Sequence, residues 1–194
     1  TEADLVLSIM PPERAEAIAA DVAAAMKKTG KAPPFADMNA IAPTTARRIA
    51  AVMADAGADF IDGGIIGWAP LKSKAISKLY VSGPSAALMD ELDGNGKTII
   101  QLGDEIGRAS AVKMIYASVT KGTDSLLTAA YTAAEALGIR DVMEAEWGAS
   151  QPDALARMER RGAESRETID KSRTMQDSVK VYVQHLNPKK AAAE

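Results

Sequence analysis

The chain has 194 residues, with 23 Lys+Arg against 26 Asp+Glu and a formal net charge of −3, so it is long enough for one ordinary domain or two small ones and carries no basic excess of the kind a general nucleic-acid binder shows. Zero cysteines exclude disulfides, thiolate metal sites and cysteine nucleophiles, and the single histidine, His185, makes multi-His zinc sites impossible. No apolar run approaches the ~18 residues of a membrane span.

Aromatic residues are only 4% of the chain, while 38 residues are alanine, a composition that favours closely packed helices over a β-sandwich. Asp4-Leu5-Val6-Leu7-Ser8-Ile9-Met10 is nearly continuous in apolar character and reads as a buried parallel strand, stopped by Pro11-Pro12. Ala15 to Lys28 places Ile18, Ala19, Val22, Ala25 and Met26 on one helical face, and Gly30 marks its stop. Phe35 to Met38 is a second strand. Thr44-Thr45 offers a cap for a helix over Ala46 to Ala56, and Ala58 to Asp62 is a third strand. The alternation argues parallel pairing and an α/β sheet.

Gly63 to Pro70 reads as a Gly-rich loop. Lys74 to Ser82 supplies a strand at Leu79-Tyr80-Val81, Ser85 caps a short helix to Leu92, and Lys97 to Leu102 is a last strand after the turn Asp93-Gly94-Asn95-Gly96. The pattern then changes. Gly107 to Gly138 predicts one long helix with Gly122 inside it, followed by helical segments at Val142–Trp147, Asp153–Arg161 and Glu164–His185, and an end expected to fray from Pro188. The chain is therefore expected to be α/β to about residue 102 and all-α from 103 to 194.

Three segments could carry chemistry. Asp62-Gly63-Gly64-Ile65-Ile66-Gly67 lies at a strand's carboxyl end, where open α/β sheets bind ligands, and its glycines would let a ligand approach the backbone; a tight turn that needs glycine explains it equally well. Asp37-Met38-Asn39-Ala40-Ile41-Ala42-Pro43 puts Asn39 before a helix start, where turn chemistry is the simpler reading. Gly103 through Lys113 leads into the long helix, on which Lys113, Tyr116, Thr120 and Asp124 share one face. That polar stripe is either a solvated face or a cleft holding a lysine suited to proton transfer. Arg157, Arg160, Arg161 and Arg166 could meet an anionic substrate, although helical Arg/Glu mixtures are usually solvated; His185 reads as packing or surface.

In order, these segments resemble the β-hydroxyacid dehydrogenase family, within the 6-phosphogluconate dehydrogenase-like superfamily. Ala3 to Pro11 looks like the family's late Rossmann strand with its Leu-Pro element. Asp37 to Pro43 is similar to the D-x-[SN]-x-I-x-P segment, Phe60 to Gly67 resembles the substrate loop F-V-D-A-P-V-S-G, and Gly103 to Lys113 resembles the approach to the interdomain helix. The resemblance covers about residues 3–140. It implies a partial Rossmann-type parallel sheet at 1–102 that binds NAD or NADP, and a helical substrate and dimerisation domain at 103–194. It further implies a cytoplasmic homodimer.

The roles that come with the resemblance fall on matched positions. Lys113 would be the general acid/base as hydride passes between nicotinamide and a small hydroxy or keto acid. The backbone of Gly64, Ile65, Ile66 and Gly67 would hold the substrate carboxylate, Asn39 would sit near nicotinamide and substrate, and Met10 and Pro11 would border the cofactor. Two positions depart from the family pattern. Ile66 stands where serine is usual, and Ala117 stands where asparagine is usual, with Tyr116 a substitute hydrogen-bonder. A lysine at 113 points to alcohol/carbonyl chemistry rather than to the imine-reducing relatives, which generally lack it. The fingerprint G-x-G-x-x-G is nowhere in the chain. In the family it precedes the matched region, so roughly the first third of such an enzyme is expected to lie outside these residues, and the chain alone to be inactive. The missing fingerprint and the two departures also motivate a second reading, a catalytically silent binding or dimerisation module.

Overall fold

The computed structural model describes residues 3–67, 76–94 and 96–160. Trp68 to Ala75, Asn95 and everything from Arg161 onward, including Arg166 and His185, lie outside the described residues. The chain divides by its contacts into two compact units, Thr1–Val119 and Thr120–Glu194.

The first unit is built on a five-stranded sheet in the order β1-β2-β3-β4-β5, with β1 Val6–Ser8, β2 Phe35–Asp37, β3 Phe60–Ile66, β4 Ser77–Ser82 and β5 Lys97–Gln101. Strands β1, β2 and β3 run parallel, joined by α1 (Ala15–Thr29) and α2 (Pro43–Asp55). Gly30 ends α1 in the left-handed conformation, with φ 69°. The helix after β2 starts at Pro43, whose missing N–H costs nothing at a first helical position; the cap expected from Thr44-Thr45 is not used.

Two departures from the expected sheet concern β3. It pairs antiparallel with β4, so the sheet is not wholly parallel. Only ten residues connect the two strands, fewer than the dozen or so a parallel crossover needs. The segment Gly63–Ile66, expected as a loop, is the second half of β3. From β4 a 3₁₀ segment, Ala86–Leu92, carries the chain over to β5, which is parallel to β4. Ser85 does not cap that segment; its hydroxyl donates to Asp59 at 2.6 Å.

Both sheet faces are buried. On one, Phe35 and Phe60 stack with ring centroids 6.4 Å apart, and Ile49, Met53 and Met26 close around them. Ala15, Ala19, Ala23 and Ala46 are buried in the same cluster, which is where the alanine content is used: small side chains let α1 and α2 lie close together. On the other face Met38, Ile61, Leu79, Val81 and Met89 pack together under the 3₁₀ segment. Each large apolar side chain buried this way contributes roughly 1.5–3 kcal/mol.

Helix α3, Arg108–Ala136, is the long helix expected from the sequence and includes Gly122. Its residues to Val119 belong to the first unit. In the second unit, the rest of α3 is followed by α4 (Arg140–Ser150) and a helical stretch at 152–160. Tyr131 stacks on Trp147 at 6.2 Å, and the Arg140 guanidinium lies 4.8 Å over the Tyr131 ring. Glu144 accepts from Arg140 Nε at 2.9 Å and from the Tyr131 hydroxyl, a bond that raises the tyrosine's pKa. No helix among the described residues is long and apolar enough to cross a membrane.

Candidate functional site at the carboxyl end of the sheet

Ser8, Asp37, Asp62 and Ser82 occupy one register row across β1, β2, β3 and β4, and all four are buried. Polar side chains in such a row must find partners, because burying them unpaired costs several kcal/mol each. They do so in two adjoining networks.

The first is centred on Asn39, which is 3% exposed. Its backbone N–H donates to Asp37 Oδ1 at 2.9 Å, an Asx-type turn. Its Nδ2 donates to Asp37 Oδ2 and to Ser8 Oγ, both at 3.0 Å, and its Oδ1 accepts from the Met10 N–H at 2.6 Å. Asn39 thus ties the carboxyl end of β1 to that of β2 and fixes the Met10-Pro11 corner. Burial raises the Asp37 pKa, partly offset by the Asn39 bonds, and the neighbouring Asp62 charge adds to the rise.

The second network is centred on Asp62, which is fully buried. Its Oδ2 accepts from the backbone N–H of Gly107 at 2.9 Å and of Ser110 at 3.0 Å, and from Ser82 Oγ at 3.0 Å. Its Oδ1 accepts from the Ser110 hydroxyl. Ser82 Oγ in turn accepts from the Ala109 N–H at 3.1 Å. A strand carboxylate therefore satisfies the orphan donors that open α3, and its charge suits the positive end of the helix dipole. Gly107 precedes the helix at φ 103°, a conformation that favours glycine.

Capped in this way, α3 runs directly over β3. A Cβ on Gly64 would lie 2.9 Å from Lys113 Cβ and 3.1 Å from the Ala109 carbonyl oxygen. A Cβ on Gly63, on the opposite face, would meet Met38 Sδ at 2.1 Å. These glycines serve close approach inside a strand rather than an open loop. Lys113 Nζ donates to the Ile65 carbonyl at 2.5 Å, so the lysine and the proposed substrate segment meet. Ile66 shares the face of Asp62 and Gly64 by strand alternation, beyond the position Lys113 covers.

Tyr116 is 48% exposed on α3 and Pro11 is exposed before α1. The far half of the polar stripe is internal to the second unit, where Asp124 accepts from Arg157 Nε at 2.6 Å and the Thr120 carbonyl accepts from Arg157 at 3.0 Å. Arg157 is thereby engaged by a carboxylate. Asp62, Ser82 and Ser110 received no role in the sequence reading. The available signal was a charged residue directly after the apolar pair Phe60-Ile61 of a strand, where a buried position predicts a partner.

No protein-family model matches the chain. An uncharacterized 28.5 kDa protein in the 7S RNA 5′ region of Methanothermus fervidus is 31% identical over 140 residues, 71% of this chain and 51% of that protein. Among solved structures, a conserved protein of unknown function described as structurally similar to 3-hydroxyacid dehydrogenases is 27% identical, with a TM-score of 0.59 over 91% of this chain and 67% of its own. The 3-hydroxyisobutyrate dehydrogenase of Mycobacterium tuberculosis, solved with L-serine, is 26% identical, with a TM-score of 0.54 over 71% and 47%. An imine reductase from Myxococcus stipitatus in complex with NADP+ shares the fold alone, at 20% identity and a TM-score of 0.51 over 84% and 59%. The chain spans about half the length of the curated relative it matches. In fold the chain is similar to these 3-hydroxyacid dehydrogenase-like proteins, in keeping with the resemblance carried by its sequence motifs.

Proposed function

We propose that these residues form the substrate-facing part of an NAD(P)-dependent oxidoreductase acting on a small hydroxy or keto acid, with Lys113 as general acid/base. The observation that carries this reading is the seat of Lys113. Its Nζ is held at the Ile65 carbonyl, at the end of a strand whose Gly64 is bare under α3. A lysine fixed in this way can give a proton to a carbonyl oxygen, or take one from a hydroxyl, placed beside it. Bound nicotinamide would supply or accept the hydride.

The backbone of Gly64, Ile65, Ile66 and Gly67 would orient the substrate carboxylate, and Tyr116 would add a hydroxyl from α3. The Met10-Pro11 corner offers an apolar edge that fits the flat nicotinamide ring, and Asn39 would hold that corner in place, since its amide is taken up by Met10, Ser8 and Asp37. Ile66 and Ala117 remove two polar groups beside Lys113, which suits a substrate with an apolar flank. In this scheme residues 1–102 border the cofactor, and 103–194 complete the substrate site and the dimer. The dimer reading is supported by Leu126, Ala129 and Ala133 on α3 and Leu137 just past its end, which form an exposed stripe at helical spacing.

The test uses the complete open reading frame that encodes these residues, assayed with NAD+ and NADP+ against a panel of short hydroxy acids. Lys113→Ala should abolish hydride transfer while nicotinamide binding, read by fluorescence quenching, persists. Turnover retained in Lys113→Ala would refute the role of Lys113. A wild-type protein that binds cofactor yet turns over no hydroxy acid would favour the silent binding module.

A further inference from the structure

We infer that Asp62, together with Ser110, is the positioning device for Lys113, an assignment that rests on the function proposed above but is tested independently of it. Asp62 and Gly64 lie two residues apart on one face of β3. Ser110 and Lys113 lie three apart on one face of α3. Strand and helix are joined at both levels. Asp62 takes the N–H groups of Gly107 and Ser110 and the Ser110 hydroxyl. One helical turn on, the α3 backbone and Lys113 Cβ rest against bare Gly64, and Lys113 Nζ reaches Ile65, three residues beyond Asp62.

The two anchors divide the work. Close packing at Gly64 sets the separation of helix and strand but leaves rotation of α3 about its own axis free. The cap at Asp62 removes that freedom, because a carboxylate taking two backbone donors and one hydroxyl from a single helical turn fixes the turn's azimuth. Ser82 closes the arrangement by donating to Asp62 and accepting from Ala109. Azimuth decides whether the lysine at 113 points along β3 or away from it. Asp62 touches no reacting atom in this scheme and acts only through Lys113.

Hydrogen-bond geometry, rather than charge, is what the cap requires. Asp62→Asn keeps an oxygen where Oδ2 receives its three donors and places an amide where Oδ1 stands, able to donate to Ser110 Oγ. Asp62→Ala removes every acceptor, and Ser110→Ala removes one bond while leaving the backbone donors in place.

Competitive acetylation with acetic anhydride, read lysine by lysine by mass spectrometry on the full chain, reports the seat of Lys113 without any substrate. Ser110→Ala should raise Lys113 acetylation about fivefold, the loosening expected from one lost buried bond, and Asp62→Ala should raise it further. Asp62→Asn should stay within about twofold of wild type. Lys78 and Lys121 should keep their wild-type rates in all three variants. The assignment fails if Lys113 acetylation is unchanged in folded Ser110→Ala, if all lysines speed up alike, or if Asp62→Asn behaves as Asp62→Ala. Acetylation reads the exposure and basicity of each lysine amine and needs no turnover, so failure here leaves the Lys113→Ala activity test standing, and the reverse also holds.

Discussion

Gly64→Ala places one methyl group in the close joint between β3 and α3. The new Cβ would stand 2.9 Å from Lys113 Cβ and 3.1 Å from the Ala109 carbonyl oxygen, against an ordinary carbon contact of about 3.5–4.0 Å. Neither neighbour can swing aside, since one is backbone and the other is attached directly to it. Relief requires α3 to rise off β3 by several tenths of an ångström, which stretches the bonds from Gly107 and Ser110 to Asp62. Overpacking of this kind costs about 1–3 kcal/mol. The φ of Gly64 is not in the left-handed region, so alanine also restricts the unfolded chain, which returns about 0.4–1 kcal/mol. The net expectation is a loss of about 1–2 kcal/mol, read by urea denaturation followed by circular dichroism. Gly122→Ala is the control on the same helix. A Cβ there meets nothing within 4 Å, so a gain of up to about 1 kcal/mol is expected. If Gly64→Ala were as stable as wild type, or shared the gain of Gly122→Ala, the close docking of α3 on β3 would be refuted.

Two further predictions concern the buried carboxylate and the exposed helix stripe. Asp37 has its pKa raised by burial in the fold, so the unfolded chain gives up that proton first as pH rises. The stability it contributes is fully present below its ordinary value of 3.8 and is lost as pH climbs through the raised folded value. Asp37→Asn should therefore become more stable relative to wild type as pH rises above 3.8 through the raised folded value in parallel urea titrations; a constant or shrinking difference would show that Asp37 is not held this way. Leu126 is 69% exposed in the stripe proposed to pair two copies. Leu126→Lys should shift sedimentation from dimer to monomer with little change in helicity, whereas a monomeric wild type would remove the dimer reading.

Much of the architecture was legible in the sequence because it rests on local periodicity. The apolar run to Met10, the helical spacing of Ala15 to Lys28 and the alanine-rich stretch from Gly107 to Gly138 each specify an element without reference to the rest of the chain. The candidate site was legible only in part. Lys113 and the glycines near 64 could be marked as unusual, yet a glycine pair at a strand end reads alike whether it turns the chain, exposes backbone to a ligand or admits a helix. In the structure both lie inside β3, where Gly64 admits α3 and Gly63 admits the Met38 side chain on the opposite face. Antiparallel pairing of β3 with β4 was equally hidden, because strand direction depends on how the connection closes in space.

What the sequence determined by itself was the inventory: strands that alternate with helices, a switch to helix after the fifth strand, and a lysine early in the longest helix. What only the tertiary structure decided was which buried groups meet. Asp62 and Ser110 are separated by 48 positions, and nothing in the chemistry of either names the other. They are joined because a buried carboxylate must find donors and a helix start must find acceptors, and folding brings these two needs to one place. The seat of Lys113 follows from that meeting.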